Sequence, residues 1–183
     1  MGDVIDISKS RIFNDLVEYT KLPRNKALRK CADSEKELAL LWKEKKNIIE
    51  FYQDTNLYLF DLTKYQLILE HCNLIKDMIN QIKELKLSKI LEFGGGIGEF
   101  SLLCFENEFD ISYYELDGKT KQYALWRFKK HNCDINIEKP DCLDKNWDIV
   151  NIIEVLEHLE NPNEIIAKLK KNVRYVFCNP DEI

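Results

Sequence analysis

Lys89-Ile90-Leu91-Glu92-Phe93-Gly94-Gly95-Gly96-Ile97-Gly98-Glu99 is the stretch on which the fold turns. Its first five residues read as a short buried strand. Four glycines follow within five positions, and a helix is expected from about Glu99 through Phe105. Strand, glycine loop and helix in that order suit a nucleotide-like ligand. Glycine lets the backbone come close to the ligand, and a helix N-terminus offers N–H groups with no partner inside the helix. Single residues exclude two versions of this arrangement. A dinucleotide fingerprint needs glycine at position 99, where Glu99 would set an anion beside a pyrophosphate. A P-loop needs Gly-Lys-Ser/Thr, which does not follow.

Beyond the loop the pattern alternates. Residues 111–116, 135–138, 148–153 and 174–178 read as strands. Residues 119–130 and 155–171 read as helices, the second interrupted at Asn161-Pro162. Such alternation implies parallel βαβ units. Before residue 88 the pattern is helical, with no glycine between Gly2 and Gly94. Ile12, Phe13, Leu16 and Val17 recur at helical spacing and stop before Pro23. Ser34 and Glu37 have the form of a capping box opening a helix through Leu38, Leu41 and Trp42. A further helical region runs from Tyr65 to Leu85. The expected class is therefore α/β, a doubly wound, mainly parallel sheet of about five strands with an N-terminal helical extension. Residues 1–87 form a helical region serving as lid, substrate wall or dimer surface, and 88–183 form the ligand-binding domain.

With 183 residues, 45% hydrophobic, the chain can bury a core, and a net charge of −5 gives no strong pull toward nucleic acid or anionic membrane. Arg24, Lys26, Arg29 and Lys30 read as a solvated helix face. Six cysteines without a C-x-x-C pair, mostly in apolar stretches, suit packed thiols in a reducing, cytoplasmic setting. Asp3 and Asp6 interrupt any signal-peptide pattern, and no apolar run approaches the roughly 18 residues of a membrane span.

Glu92-Phe93-Gly94-Gly95-Gly96-Ile97-Gly98 resembles motif I of class I S-adenosylmethionine-dependent methyltransferases, an acidic residue followed by x-G-x-G-x-G. Residues 147–159, above all Glu154-Val155-Leu156-Glu157-His158-Leu159, resemble the fourth strand and following turn of the large subgroup that includes quinone-biosynthesis enzymes. The resemblance runs from about residue 89 to the C-terminus. It implies a Rossmann-like methyltransferase fold and S-adenosylmethionine as cofactor. That molecule carries an ammonium and a sulfonium but no phosphate, so a carboxylate at Glu92 suits its amino-acid end. The family pattern implies ribose hydroxyls on Glu115, with Asp117 the near alternative, because the spacing from Glu115 to Tyr123-Ala124 fits better. It implies the adenine amino group on Asp141 and a ring nitrogen on the Cys142 N–H, although Asp141 after Pro140 could equally be a turn residue. Gly94, Gly95, Gly96, Gly98 and Asn151 complete the expected cofactor-binding set.

Methyl transfer from a sulfonium needs chiefly a nucleophile held in line and dry. A base is required only where the acceptor must lose a proton. Glu154, Glu157 and His158 are the catalytic candidates. On a helix they would share one face and could hold a divalent cation such as Mg²⁺, as this pattern does in quinone O-methyltransferases and small-RNA 2′-O-methyltransferases. Alternatively Glu154 contacts ligand while Glu157 and His158 hold the turn. The RNA enzymes use a further histidine downstream, and none follows His158. No Asn/Asp-Pro-Pro-Tyr/Phe motif follows the fourth strand, and Asn179-Pro180 lacks the aromatic, which disfavours methylation of a base amine.

The expected acceptor is a small molecule methylated at oxygen, carbon or nitrogen, in that order. Tyr52, Tyr58, Phe60 and Tyr65 either pack in a helical core or, in part, line its pocket. Two rivals are a catalytically silent cofactor-binding subunit that needs a partner, and an RNA methyltransferase. The family's full fold has seven strands, whereas this sequence ends at Ile183, just past the fifth. The fifth strand is therefore expected to be an edge covered by the N-terminal helices, a partner subunit or a second copy.

Overall fold

The computed structural model describes residues 9–44 and 47–178. The readings on Asp3, Asp6 and Asn179-Pro180 lie outside these residues. One all-parallel sheet has the order β3-β2-β1-β4-β5, from β1 Lys89–Phe93, β2 Asp110–Tyr114, β3 Asn136–Ile137, β4 Trp147–Asn151 and β5 Val173–Phe177. The doubly wound parallel sheet is as expected, each strand within a few residues of its sequence estimate. β1 pairs with β2 from Lys89↔Asp110 to Phe93↔Tyr114 and with β4 from Ile90↔Ile149 to Glu92↔Asn151.

Burial on both faces explains the apolar composition of β1. Ile90 joins Ile111, Tyr113 and Ile149 in a core with α5 (Leu69–Leu85), α6 (Glu99–Glu106) and α7 (Lys119–Lys130). Leu91 and Phe93 join Val150 and Ile152 in another core with Leu169 of α8 (Pro162–Asn172). Parallel strands covered on both sides read as near-continuous hydrophobic runs. Each fully buried side chain of this size contributes about 1.5–3 kcal/mol.

The helical region comprises α1 Arg11–Thr20, α2 Arg24–Glu44, α3 Ile48–Asp54 and α4 Leu57–Tyr65, with α5 lying on the sheet. Ser10 caps α1, its hydroxyl accepting from Phe13 N at 3.2 Å. Ile12, Phe13 and Leu16 then meet Ala27, Cys31, Leu59 and Phe60 in a core that also takes Ile97 of the glycine loop and Tyr123 of α7. Beside it lies a buried ion network. Arg127, 0% exposed, bonds Asp15 at 3.1 Å, the Ile97 carbonyl at 2.8 Å, and Glu99. Arg11 reaches Glu99 as well, at 3.1 Å, and Lys130 and His131 close on Asp15. Burial pushes both carboxyls up, but the cations outweigh it and hold them below their ordinary values.

Three local expectations fail. Ser34 opens no helix. α2 starts directly after Pro23, whose carbonyl accepts from Lys26 and Ala27, and Ser34 is buried mid-helix facing Asp61 of α4 at 2.9 Å. The helical run from Tyr65 to Leu85 breaks over residues 66–68, where tight turns let α4 pack on α2 while α5 turns onto the sheet. Residues 155–161 are not α-helical. A single 3-10 turn, Leu156–His158, precedes α8, because Glu154 has a left-handed φ of +55° and Pro162 disfavours helix before it. No described strand pairs beyond β5, and Tyr175 and Val176 are exposed there, so the N-terminal helices do not cover that edge. No described helix is long and apolar enough to cross a membrane, and all six cysteines are free.

Candidate functional site

From β1 the chain crosses to β2 on one side and later reaches β4 on the other. The crevice at this switch point, above the carboxyl ends of the strands, is where open α/β sheets bind ligands. The glycine loop forms its floor. Gly94, Gly96 and Gly98 have φ of +71°, +53° and +72°, values an L side chain rarely adopts. Gly94 N and Gly95 N donate to the Tyr114 carbonyl at 2.9 and 3.0 Å, which pins the loop to β2. A Cβ on Gly95 would sit 2.6 Å from the Tyr113 ring and 2.7 Å from the Glu92 carboxyl carbon.

Two cavities occupy the crevice and share Leu62, Phe93, Gly94, Gly96 and Glu154. The larger, about 210 Å³, lies over the end of β2, with Tyr114, Glu115 and Leu116 below and Tyr52 and Tyr58 above. Glu115 is held in place by Gly96 N at 2.7 Å and Leu116 N at 2.8 Å. Burial raises its pKa, and the two N–H groups oppose the rise. The smaller cavity, about 90 Å³, lies between the loop and β4, walled by Glu92, Asn151 and Ile153 and closed by Tyr65, Gln66 and His71. Glu92, 5% exposed, accepts from the Ser101 N–H at 3.0 Å and from the Ser101 hydroxyl. Burial pushes its carboxyl up to about 8, against the pull of Ser101.

The expected residues divide accordingly. Glu92, Gly94, Gly95, Gly96 and Asn151 line the smaller cavity, and Glu115 the larger, while Gly98 caps α6 behind the loop. Asp141 is exposed and Cys142 buried at a 3-10 turn, and neither lines these two cavities. Glu154 stands where the cavities meet, its Oε1 3.4 Å from the Tyr65 hydroxyl. His158 also lines the larger cavity, its Nδ1 2.7 Å from the Tyr52 hydroxyl, with Glu157 3.6 Å from its Nε2. Glu154 and His158 thus border one cavity, but the segment is a 3-10 turn, so the Mg²⁺ option lacks the α-helix it required. Among the described residues no three His, Cys, Asp or Glu are grouped to hold a metal ion. Tyr52, Tyr58 and Tyr65 line the cavities, whereas Phe60 is core.

Sequence reasoning missed His71. Its signal was a polar residue on the apolar stripe formed by Ile75, Met78, Ile79 and Ile82. The role of Glu99 as the anion that pairs Arg127 and Arg11 was also missed, because its partners lie far away in sequence.

An α/β domain with a glycine loop at its switch point and carboxylates at the ends of β1 and β2 defines a class of proteins that hold a nucleoside-bearing ligand. A family described as a methyltransferase domain matches residues 27–181, and the chain belongs to that family. Magnesium protoporphyrin IX methyltransferase of Synechocystis PCC 6803, solved with bound SAM, is 14% identical with a TM-score of 0.51, over 65% of this chain and 60% of that one. The StiE O-MT domain is 15% identical with a TM-score of 0.51, over 62% and 43%. The methyltransferase domain of bacterial CtHen1 is 21% identical with a TM-score of 0.48, over 57% and 62%. These alignments take in less than two thirds of each of the three solved chains. No curated protein matches.

Proposed function

We propose that this chain binds S-adenosylmethionine across the two joined cavities and transfers its methyl group to a small-molecule acceptor. The observation that carries the reading is the pairing of carboxylates at opposite ends of one crevice, Glu115 in the larger cavity and Glu92 in the smaller. Two ribose hydroxyls suit Glu115, and the apolar walls of Phe93, Tyr114 and Leu116 suit a purine. The amino-acid end suits the polar cavity at Glu92 and Asn151. The cofactor supplies an activated methyl group. The chain's own part is to orient, to exclude water and to accept a proton.

Tyr52, Tyr58 and Leu62 roof the larger cavity, and the Tyr52–His158 contact fastens that roof to the turn after β4. Glu154, exposed where the cavities meet, is the carboxylate placed to take a proton from an acceptor hydroxyl and pass it to water. Glu157 positions His158. A groove lined by Leu38, Trp42, Phe51, Tyr52, Tyr58 and His158 adjoins the roof and suits a flat, apolar acceptor. The test is transfer of isotopically labelled methyl from S-adenosylmethionine to a panel of hydroxylated aromatic acceptors. Product that disappears with Glu154→Gln supports the reading. Absence of product from every acceptor, with cofactor bound, favours the silent subunit.

A further inference from the structure

The crevice is acidic, with Glu92, Glu115 and Glu154 at the carboxyl ends of the strands. The opposite end of the same sheet is basic. There, where β1, β4 and β5 begin, a cavity of about 390 Å³ is lined by Lys89, Lys171 and Arg174 together with Asn146, Asp148 and Asn172. Three cations thus face one carboxylate on a chain whose net charge is −5.

That carboxylate is already engaged. Asp148 Oδ2 accepts from Lys89 N at 3.2 Å and Ser88 N at 3.4 Å, and its Oδ1 lies 3.4 Å from one Arg174 nitrogen. A guanidinium has five donors, so Arg174 keeps most of its fork. The Lys89 ammonium leans away from its neighbour in register, Asp110, and lies 5.0 Å from the centroid of the Trp147 ring. Trp147 is itself fixed, buried with its indole N–H on the Cys142 carbonyl at 2.8 Å. Among the described residues neither Lys89 nor Lys171 has a carboxylate within ion-pair distance. The dipole of α8 accounts for a lysine in its last turn, such as Lys171. It does not account for Lys89 and Arg174, which converge on the same cavity from β1 and β5.

We propose that this cavity binds a small molecule through a phosphate group carrying two or more negative charges. The two ammonium groups act as point charges, and the free part of the Arg174 fork matches a pair of phosphate oxygens. Asn146 adds an exposed amide at the rim. The site lies one strand length, roughly 16 Å, from the crevice, so the two ends of the sheet sort ligands by charge.

Calorimetric titration of the intact chain with sodium pyrophosphate at low salt tests this. Wild-type protein is expected to bind the probe, with affinity falling as chloride is added. Lys89→Gln and Lys171→Gln should each weaken binding about three- to tenfold, between the scale of an exposed ion pair and that of a buried bond to a charged group. Both side chains are exposed, so both variants should fold, and if one does not the other decides. Lys26→Gln, exposed on α2, should change the affinity less than twofold. No binding at low salt overturns the proposal, as do equal losses in all three variants, which would mean diffuse attraction. A single-stranded oligonucleotide that binds more tightly than pyrophosphate, with the same dependence on Lys89 and Lys171, would assign the phosphate to a nucleic-acid backbone and overturn the small-molecule reading.

Discussion

The glycine-loop half of the crevice and the helical half are held by different means. Around Gly94–Gly98 the geometry resides in the backbone: three positive φ values, two amides pinned to Tyr114, and a carboxylate held by Gly96 N and Leu116 N. Across α1–α5 it resides in side-chain pairs between distant residues, Arg127 with Asp15, Tyr52 with His158 and Tyr65 with Glu154. One half is fixed by what glycine permits. The other is fixed only when both partners are present. The loop half should therefore tolerate changes in the helices, while the helices should depend on single long-range contacts.

The severest test is Arg127→Met. It removes the one cation that Asp15 and Glu99 share, leaving Lys130 and His131 on Asp15 and Arg11 on Glu99, and should remove about 3–5 kcal/mol of stability, measured by urea denaturation. A loss below about 1 kcal/mol, the scale of an exposed ion pair, would mean that the two halves stand independently. Next comes Glu115→Ala, expected to weaken S-adenosylhomocysteine binding about 10- to 100-fold with an unchanged circular dichroism spectrum. An unchanged affinity would move the ribose elsewhere.

Gly118→Ala probes the junction itself. The added Cβ would lie 2.7 Å from Gln53 Cα and 2.9 Å from its carbonyl oxygen, so α3 must lift. A loss of about 1–3 kcal/mol is expected, with the glycine loop undisturbed in amide exchange. If exchange instead quickens throughout the sheet, the halves are coupled more tightly than the comparison allows.

The smallest effect is a pH dependence. Buried Glu92 holds its proton up to about pH 8, whereas an unfolded glutamate loses it near 4.5. The empty fold therefore loses stability as pH rises from about 4.5 through 8, because the folded state binds the extra proton. An ammonium arriving beside Glu92 favours the carboxylate and expels that proton. S-adenosylhomocysteine affinity should rise from pH 6 to 8, with proton release seen as a buffer-dependent heat, and Glu92→Gln should flatten the rise. A flat wild-type profile would place the ammonium away from Glu92.

The same contrast explains how much was legible in advance. β1, its loop and the order of the strands could be read because a two-sided parallel strand and a chain of glycines leave local, periodic marks. Glu92, Glu115 and Asn151 were expected at the site through the resemblance to class I methyltransferases that those marks carry, and all three line the crevice. The break over residues 66–68, the mid-helix position of Ser34 and the short turn after Glu154 were not, because tertiary packing overrode local patterns that pointed to continuous helix or to a cap. His71 escaped because its meaning lies in a cavity that two distant elements close together. Glu99 was read as the residue that excludes a pyrophosphate, and its second role required knowing where Arg127 and Arg11 would lie.

Hydrogen exchange followed by mass spectrometry, with and without S-adenosylhomocysteine, tests most directly whether one ligand joins both halves. The account predicts slowed exchange at Gly94–Gly98 and Glu115 and, in the same complex, across α3, α4 and the first turn of α5. Protection confined to the loop and β2, with those helices unchanged, would contradict it.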